Sequence, residues 1–173
     1  APTAPAPRSP GMRPLSAPLA PATCDRLRAA GAVVETIGTS AGGRPLHGVC
    51  VGDPAAPLLT VVAGAHPDEP AGPVAALRLV EGWAAHRFGA RVRLAVVPLL
   101  DVDGVVAQRA WLDPWDGAVD LARYLAHRRR RAPGADREFA WPGAPWPGTV
   151  LPECAAAAGF LDPLGAPIAH LSL

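Results

Sequence analysis

The chain has 173 residues, half of them apolar and 18% charged, with a formal net charge of +1. That length and balance fit one folded domain with a core and exclude a disordered chain, while near-neutral charge gives no ground for a nucleic-acid partner. No run of eighteen apolar residues argues for a membrane span. The three cysteines (Cys24, Cys50, Cys154) are too few and too widely spaced for a disulfide framework. With no charged start leading into an apolar segment, the chain reads as cytoplasmic.

Residues 1–22 are rich in Pro and Ala. Such a segment buries too little surface to offset its ordering entropy, so it is expected to be a flexible arm, with the folded part, residues 23–173, beginning near Cys24. Cys24–Ala30 reads as a short helix. Ala32–Ile37 and Leu46–Val51 read as two strands around the turn-forming stretch GTSAGG, together an antiparallel hairpin. Cys50, in the second of these, reads as a small core residue. Leu58–Ala63 (LLTVVA) is a continuous apolar run between turn residues, the pattern of a strand buried on both faces. After the Pro-punctuated loop at 64–70, Val74, Leu77, Val80 and Trp83 recur at helical spacing. Arg93–Leu100 is a second buried strand, Asp101–Gly104 a loop, and Ala118–Arg130 a helix. Residues 132–150 read as irregular, Cys154–Leu161 as a helix and Ala166–Leu173 as a last strand. Buried strands alternating with helices predict an α/β three-layer sandwich with a mixed, largely parallel central sheet. The loops at 64–70 and 101–104 both follow buried strands and are expected to face the crevice outside the strands' carboxyl ends.

The chemistry-bearing residues concentrate in the first of those loops. His66 and Glu69 stand three apart at a tight turn, where an imidazole nitrogen and a carboxylate oxygen can reach one ion. Zinc accepts both donor types, and catalytic zinc sites use three protein ligands plus water. Pro67 and Pro70 stiffen the loop and lower the entropy lost in holding the ligands. Asp68 has two readings, a further ligand or an acceptor that orients His66. A surface turn that happens to hold these residues is the plainer alternative. His47, His86 and His127 lack ligand spacing and read as surface or packing residues.

Residues 37–72 (IGTSAGGRPLHGVCVGDPAAPLLTVVAGAHPDEPAG) resemble the zinc carboxypeptidase family, including its desuccinylase and aspartoacylase-like branch. There a G-x-S-x-x-G-R-P-L hairpin leads to a strand ending in G-x-H-x-x-E. Gly38, Ser40, Gly43, Arg44, Pro45 and Leu46 match the hairpin; Gly64, His66 and Glu69 match the metal loop. The resemblance implies that His66 and Glu69 bind one Zn2+. A looser match is VPLLDVDG at 97–104 against the family's N-P-D-G turn, with Asp101 and Val102 replacing Asn and Pro. A third is RRRRAPGADREF at 128–139, shorter than the family's segment. By this resemblance Arg137 is the arginine that grips the substrate carboxylate, and Asp136 stands beside it in place of an Asn. Arg129 is the one that polarises the scissile carbonyl, although any of Arg128–Arg131 could serve. A solvated basic turn competes for that run. Pro152-Glu153 reads as a helix start with a favourable carboxylate and no catalytic role.

The resemblance implies a third ligand, a His at the end of a later strand, and a general-base Glu further on. His170 lies inside the last predicted strand, so either it or a residue following Leu173 is the ligand. The chain thus reads as the N-terminal part of a catalytic domain, and is expected to lack full activity by itself. The expected reaction is zinc-assisted hydrolysis of an amide bond next to a free carboxylate, in a peptide or small-molecule substrate. The alternatives are a deacylase of N-acyl amino acids and a non-catalytic α/β binding domain that has lost the metal. Nucleic acid and membrane are not expected as partners.

Overall fold

A computed structural model describes residues 13–85, 91–114, 120–129, 131, 135–145 and 148–173. The expectations for residues 1–12, His86, the ends of the helix at 118–119 and 130, and residues 132–134 and 146–147 lie outside the described residues. The elements run α1 (Pro21–Ala29), β1 (Val33–Thr39), β2 (Pro45–Val51), β3 (Leu58–Val62), α2 (Ala71–Ala84), β4 (Arg93–Val97), α3 (Val102–Ala107), α4 (Arg109–Leu112), α5 (Leu121–His127), α6 (Pro152–Leu161) and β5 (Ala169–Ser172).

The strands form one mixed sheet in the order β1-β2-β4-β3-β5. β1 with β2, and β2 with β4, are antiparallel; β3 runs parallel to both β4 and β5. β3 and β4 lie inside the sheet and bury nearly every side chain, which explains their unbroken apolar sequence. Their residues divide between two faces. Val61, Leu94 and Val96 pack with Leu27 of α1 and Ala76, Leu77 and Val80 of α2. Val62 and Val97 pack with Cys154 and Ala157 of α6. Helices therefore cover both faces, the three-layer arrangement expected from the sequence.

Three local expectations change. Asp101–Gly104 is not a loop: Asp101 caps α3, its carboxylate accepting the Gly104 amide at 2.8 Å. An Asp at the N-cap satisfies an otherwise orphaned donor, and this outweighs the turn preference of Asp-Gly. Within the stretch expected to be an arm, Leu19 is buried and Leu15 packs against two of the core clusters. Two leucines among the prolines thus give that segment an apolar anchor. Cys50 is half-buried rather than a core residue.

At the other end, Leu173 donates to Val62 O and accepts from the Gly64 amide, each at 2.9 Å. This carries the backbone of β5 to the mouth of the 64–70 loop. No helix among the described residues is long and apolar enough to cross a membrane.

Candidate active site

The site lies where β3 and β4 end. At the exit of β3, Gly64 takes φ +69, a conformation that suits glycine. A Cβ there would come within 2.8 Å of Leu99 Cδ1 and 2.9 Å of Pro73 Cγ. The chain can then turn sharply and carry His66–Glu69 over the sheet edge. A second bracing contact joins the two sequence blocks that resemble the family's hairpin and its N-P-D-G turn. Asp103 of α3 accepts from Ser40 Oγ at 2.8 Å, from the Gly42 amide at 2.8 Å and from Arg44 Nη1 at 2.6 Å. Burial raises the Asp103 pKa, but these three donors outweigh it and hold the carboxyl below its ordinary value. Gly42 fits because a Cβ would sit 2.7 Å from Asp103 Oδ1.

A cleft of about 390 Å³ opens beside this frame, lined by His66, Pro67, Asp68, Glu69, Arg131, Asp136 and Phe139. His66 sits at its centre. Its Nδ1 is 3.6 Å from Glu69 Oε2. Its Nε2 is 3.5 Å from both Asp136 Oδ1 and Glu138 Oε2. His66, Asp136 and Glu138 form a cluster whose ligand atoms lie within 4.8 Å of one another.

Zinc bonds of about 2.0–2.2 Å in a tetrahedron set neighbouring donors about 3.4 Å apart. Both sides of the imidazole come close to that spacing, Glu69 at Nδ1 and Asp136 and Glu138 at Nε2. A carboxylate can serve either as a ligand or as the acceptor that orients the imidazole. Asp136, expected to bind substrate, is thus placed against His66. Asp68, read as a further ligand or as the acceptor that orients His66, accepts from Arg128 Nη2 at 2.9 Å.

The arginines differ from one another more than the sequence suggested. Arg137, expected to grip a substrate carboxylate, is 4% exposed. Its Nη2 lies 3.1 Å from Glu153 Oε1 and 3.4 Å from Asp101 Oδ1, and its Nη1 donates to Ala135 O. The guanidinium is committed to buried acids and does not line the cleft. Glu153, fully buried in the first turn of α6, accepts from the Ala41 amide as well. The carboxylate read as a helix-start feature is therefore the pin between α6, the hairpin turn and Arg137.

Arg131 does reach the cleft. Its Nε and Nη2 both donate to the buried carboxylate of Asp101 at 2.8 Å, which leaves the Nη1 edge directed elsewhere. That bond raises its pKa against the opposing effect of burial, so the charge is permanent. Arg128 lies over the Tyr124 ring at 5.1 Å while it binds Asp68. Arg129 is exposed, its amide donating to Gln108 Oε1, and it is not among the cleft-lining residues. His170 is in β5, hydrogen-bonded through Nδ1 to Thr60 Oγ1 at 2.8 Å, and lines a separate cavity of about 700 Å³. Sequence reasoning missed Glu138 and the Asp101–Arg131 fork. No spacing rule joins residues 30 positions apart, and the one available signal was an acidic residue where the family carries Asn.

A mixed sheet with helices on both faces and a His-x-x-Glu loop leaving a central strand is the framework of a zinc carboxypeptidase. The chain belongs to that family: the zinc carboxypeptidase family model matches residues 26–149. No curated protein sequence matches the chain. Among solved structures it is similar to thrombin activatable fibrinolysis inhibitor, with 18% identity, a TM-score of 0.64, and coverage of 87% of this chain and 43% of that one. A metallo-carboxypeptidase from Burkholderia cenocepacia shares 20% identity at TM-score 0.57, over 86% and 39% of the two chains. An aspartoacylase family protein from Mesorhizobium loti shares 18% at TM-score 0.51, over 82% and 40%. The chain spans about two fifths of the length of these structures.

Proposed function

We propose that this chain supplies the metal-binding half of a zinc-dependent hydrolase that cleaves an amide bond next to a free carboxylate. The observation that carries this reading is His66 Nδ1 facing Glu69 at 3.6 Å on the loop after β3, with carboxylates backing Nε2. His66 and Glu69 hold the ion and Asp136 orients the imidazole. An ion held by these residues would supply the Lewis acidity that polarises a carbonyl and activates water. His170, the one third-ligand candidate within this chain, is bonded to Thr60 and lines a separate cavity, which counts against that role.

The substrate carboxylate meets Arg131 rather than Arg137. Asp101 fixes one edge of that guanidinium, and the free edge offers a fork for a carboxylate. Arg129, the cation that the resemblance puts at the scissile carbonyl, is exposed and outside the lining of the cleft, so the contacts seen here give that role no support. Peptide and N-acyl amino acid substrates both satisfy this arrangement. The test is hydrolysis of C-terminal peptides and N-acyl amino acids by the protein carrying this chain, with and without chelator. Turnover that a chelator abolishes and zinc restores is expected; turnover indifferent to chelator would overturn the reading and favour a site without metal.

A further inference from the structure

We infer that Asp68 and Arg128 are positioning residues: their ion pair fastens the metal loop to the end of α5 and sets His66 and Glu69 to receive the ion. The inference rests on the zinc hydrolase reading and extends that site to two side chains that do not themselves hold the ion.

The charged side chains of the 64–70 loop differ in burial. His66 and Glu69 stay open to the cleft, 36% and 61% exposed, whereas the Asp68 side chain between them is 3% exposed. A carboxylate withdrawn from water needs a strong partner to offset its lost hydration. Its ion-pair partner is Arg128, whose Nη2 donates to Asp68 Oδ2 at 2.9 Å, a charge-assisted bond between residues 60 apart in sequence. Asp68 stands two residues after His66 and directly before Glu69. Drawing its side chain into the wall therefore fixes the peptide that joins the two ligands. Pro67 and Pro70 limit the backbone on either side, and the Glu69 amide donates to His66 O at 3.1 Å, so the segment turns as one piece. The Asp68 contact sets the direction of that piece.

The Arg128 end is held firmly. Its guanidinium lies over the Tyr124 ring at 5.1 Å, and Tyr124 meets Trp111 edge-on with ring centroids 5.0 Å apart. Trp111 Nε1 donates to the buried Gln108 Oε1 at 2.8 Å, and the same oxygen accepts the Arg129 amide at 3.2 Å. The peptide after Arg128 is thereby tied to Gln108, where α3 gives way to α4. A guanidinium stacked and paired in this way is committed to Asp68 rather than to substrate. Partners that fix the direction of metal ligands change metal affinity by about 10–100-fold when removed.

Zinc affinity is measured by competition with a chromophoric chelator on the protein carrying this chain, together with the melting temperature of the metal-free protein. Arg128→Ala and Asp68→Asn are each expected to weaken zinc binding about tenfold or more. Arg128→Lys keeps a cation within reach of both Asp68 and the Tyr124 ring, and is expected to stay within about threefold of wild type. The double variant Asp68→Asn with Arg128→Ala is expected to bind zinc about as weakly as the worse single variant, because both remove one interaction. A pair that serves stability alone would lower the melting temperature of the metal-free protein and leave the zinc Kd of the folded variants unchanged; that result would overturn the proposal. Additive losses in the double variant would do the same. So would tighter zinc in Arg128→Ala, which would show a released Asp68 turning to the ion as a ligand. If Arg128→Ala does not fold, Asp68→Asn, which keeps the side chain's shape, carries the comparison with Arg128→Lys. Wild-type protein that binds no zinc would sink the hydrolase reading and this proposal with it, whereas equal affinity in wild type and variants would sink this proposal alone.

Discussion

Replacing Arg137 by Met separates a buried ion pair from a substrate anchor. In this structure the guanidinium lies 3.1 Å from Glu153, which is fully buried, and 3.4 Å from Asp101, which is also fully buried. Met fills most of the volume but strands the Glu153 charge away from solvent. Removing one partner of a buried pair costs about 3–5 kcal/mol. For a chain of this size each kcal/mol moves the melting temperature by about 2–4 °C, so a fall on the order of 10 °C is expected. The double variant Arg137→Met with Glu153→Leu removes the stranded charge and loses mainly the Ala41 amide bond, worth about 1 kcal/mol. It is therefore expected to be more stable than Arg137→Met alone. Urea denaturation of the wild type, both singles and the double closes the cycle. Arg137→Met within about 1 kcal/mol of wild type, with a raised KM for carboxylate substrates, would refute the placement and return Arg137 to substrate binding.

The acid limb of stability tests the bracing of the hairpin. Asp103 has a folded pKa below its ordinary value of 3.8. Its contribution is therefore present above that value and is lost as pH falls below it. Asp103→Asn is expected to be less stable at neutral pH and to show a shallower loss of stability on acidification; parallel wild-type and variant curves would contradict this. The thiols give a third check. Burial first, and Glu153 second, push the Cys154 thiol up to about 12, and the residue is fully enclosed. A thiol reagent at pH 8 is expected to label half-buried Cys50 before Cys154, with Cys154 labelling only as fast as the protein opens. Labelling of Cys154 in native protein as fast as in urea would show that α6 does not seal it.

What the sequence disclosed, and what it hid, follow one physical line. Features set by neighbours along the chain were legible: the LLTVVA strand, the Pro-stiffened His66–Glu69 loop, the hairpin around its glycines and the helix opening at Pro152. Features set by partners far apart were not. Arg137 and Arg131 carry the same side chain six residues apart, yet one is pinned to Glu153 inside the protein and the other faces the cleft from Asp101. Nothing local distinguishes them; α6 decides by delivering Glu153. Asp101 followed by Val-Asp-Gly reads as a turn, and it is a helix cap because its carboxylate accepts the Gly104 amide at the start of α3. Asp136, read as a substrate contact from its match to a family Asn, does line the cleft, and its closeness to His66 Nε2 was not legible in the sequence.

The central claim is that one divalent ion is gripped by His66 and Glu69, and metal content measures it most directly. The protein carrying this chain, purified with zinc and dialysed, is expected to hold close to one zinc per molecule, and His66→Ala with Glu69→Ala to hold less than about a tenth of that. An unchanged zinc content in the double variant would contradict the account.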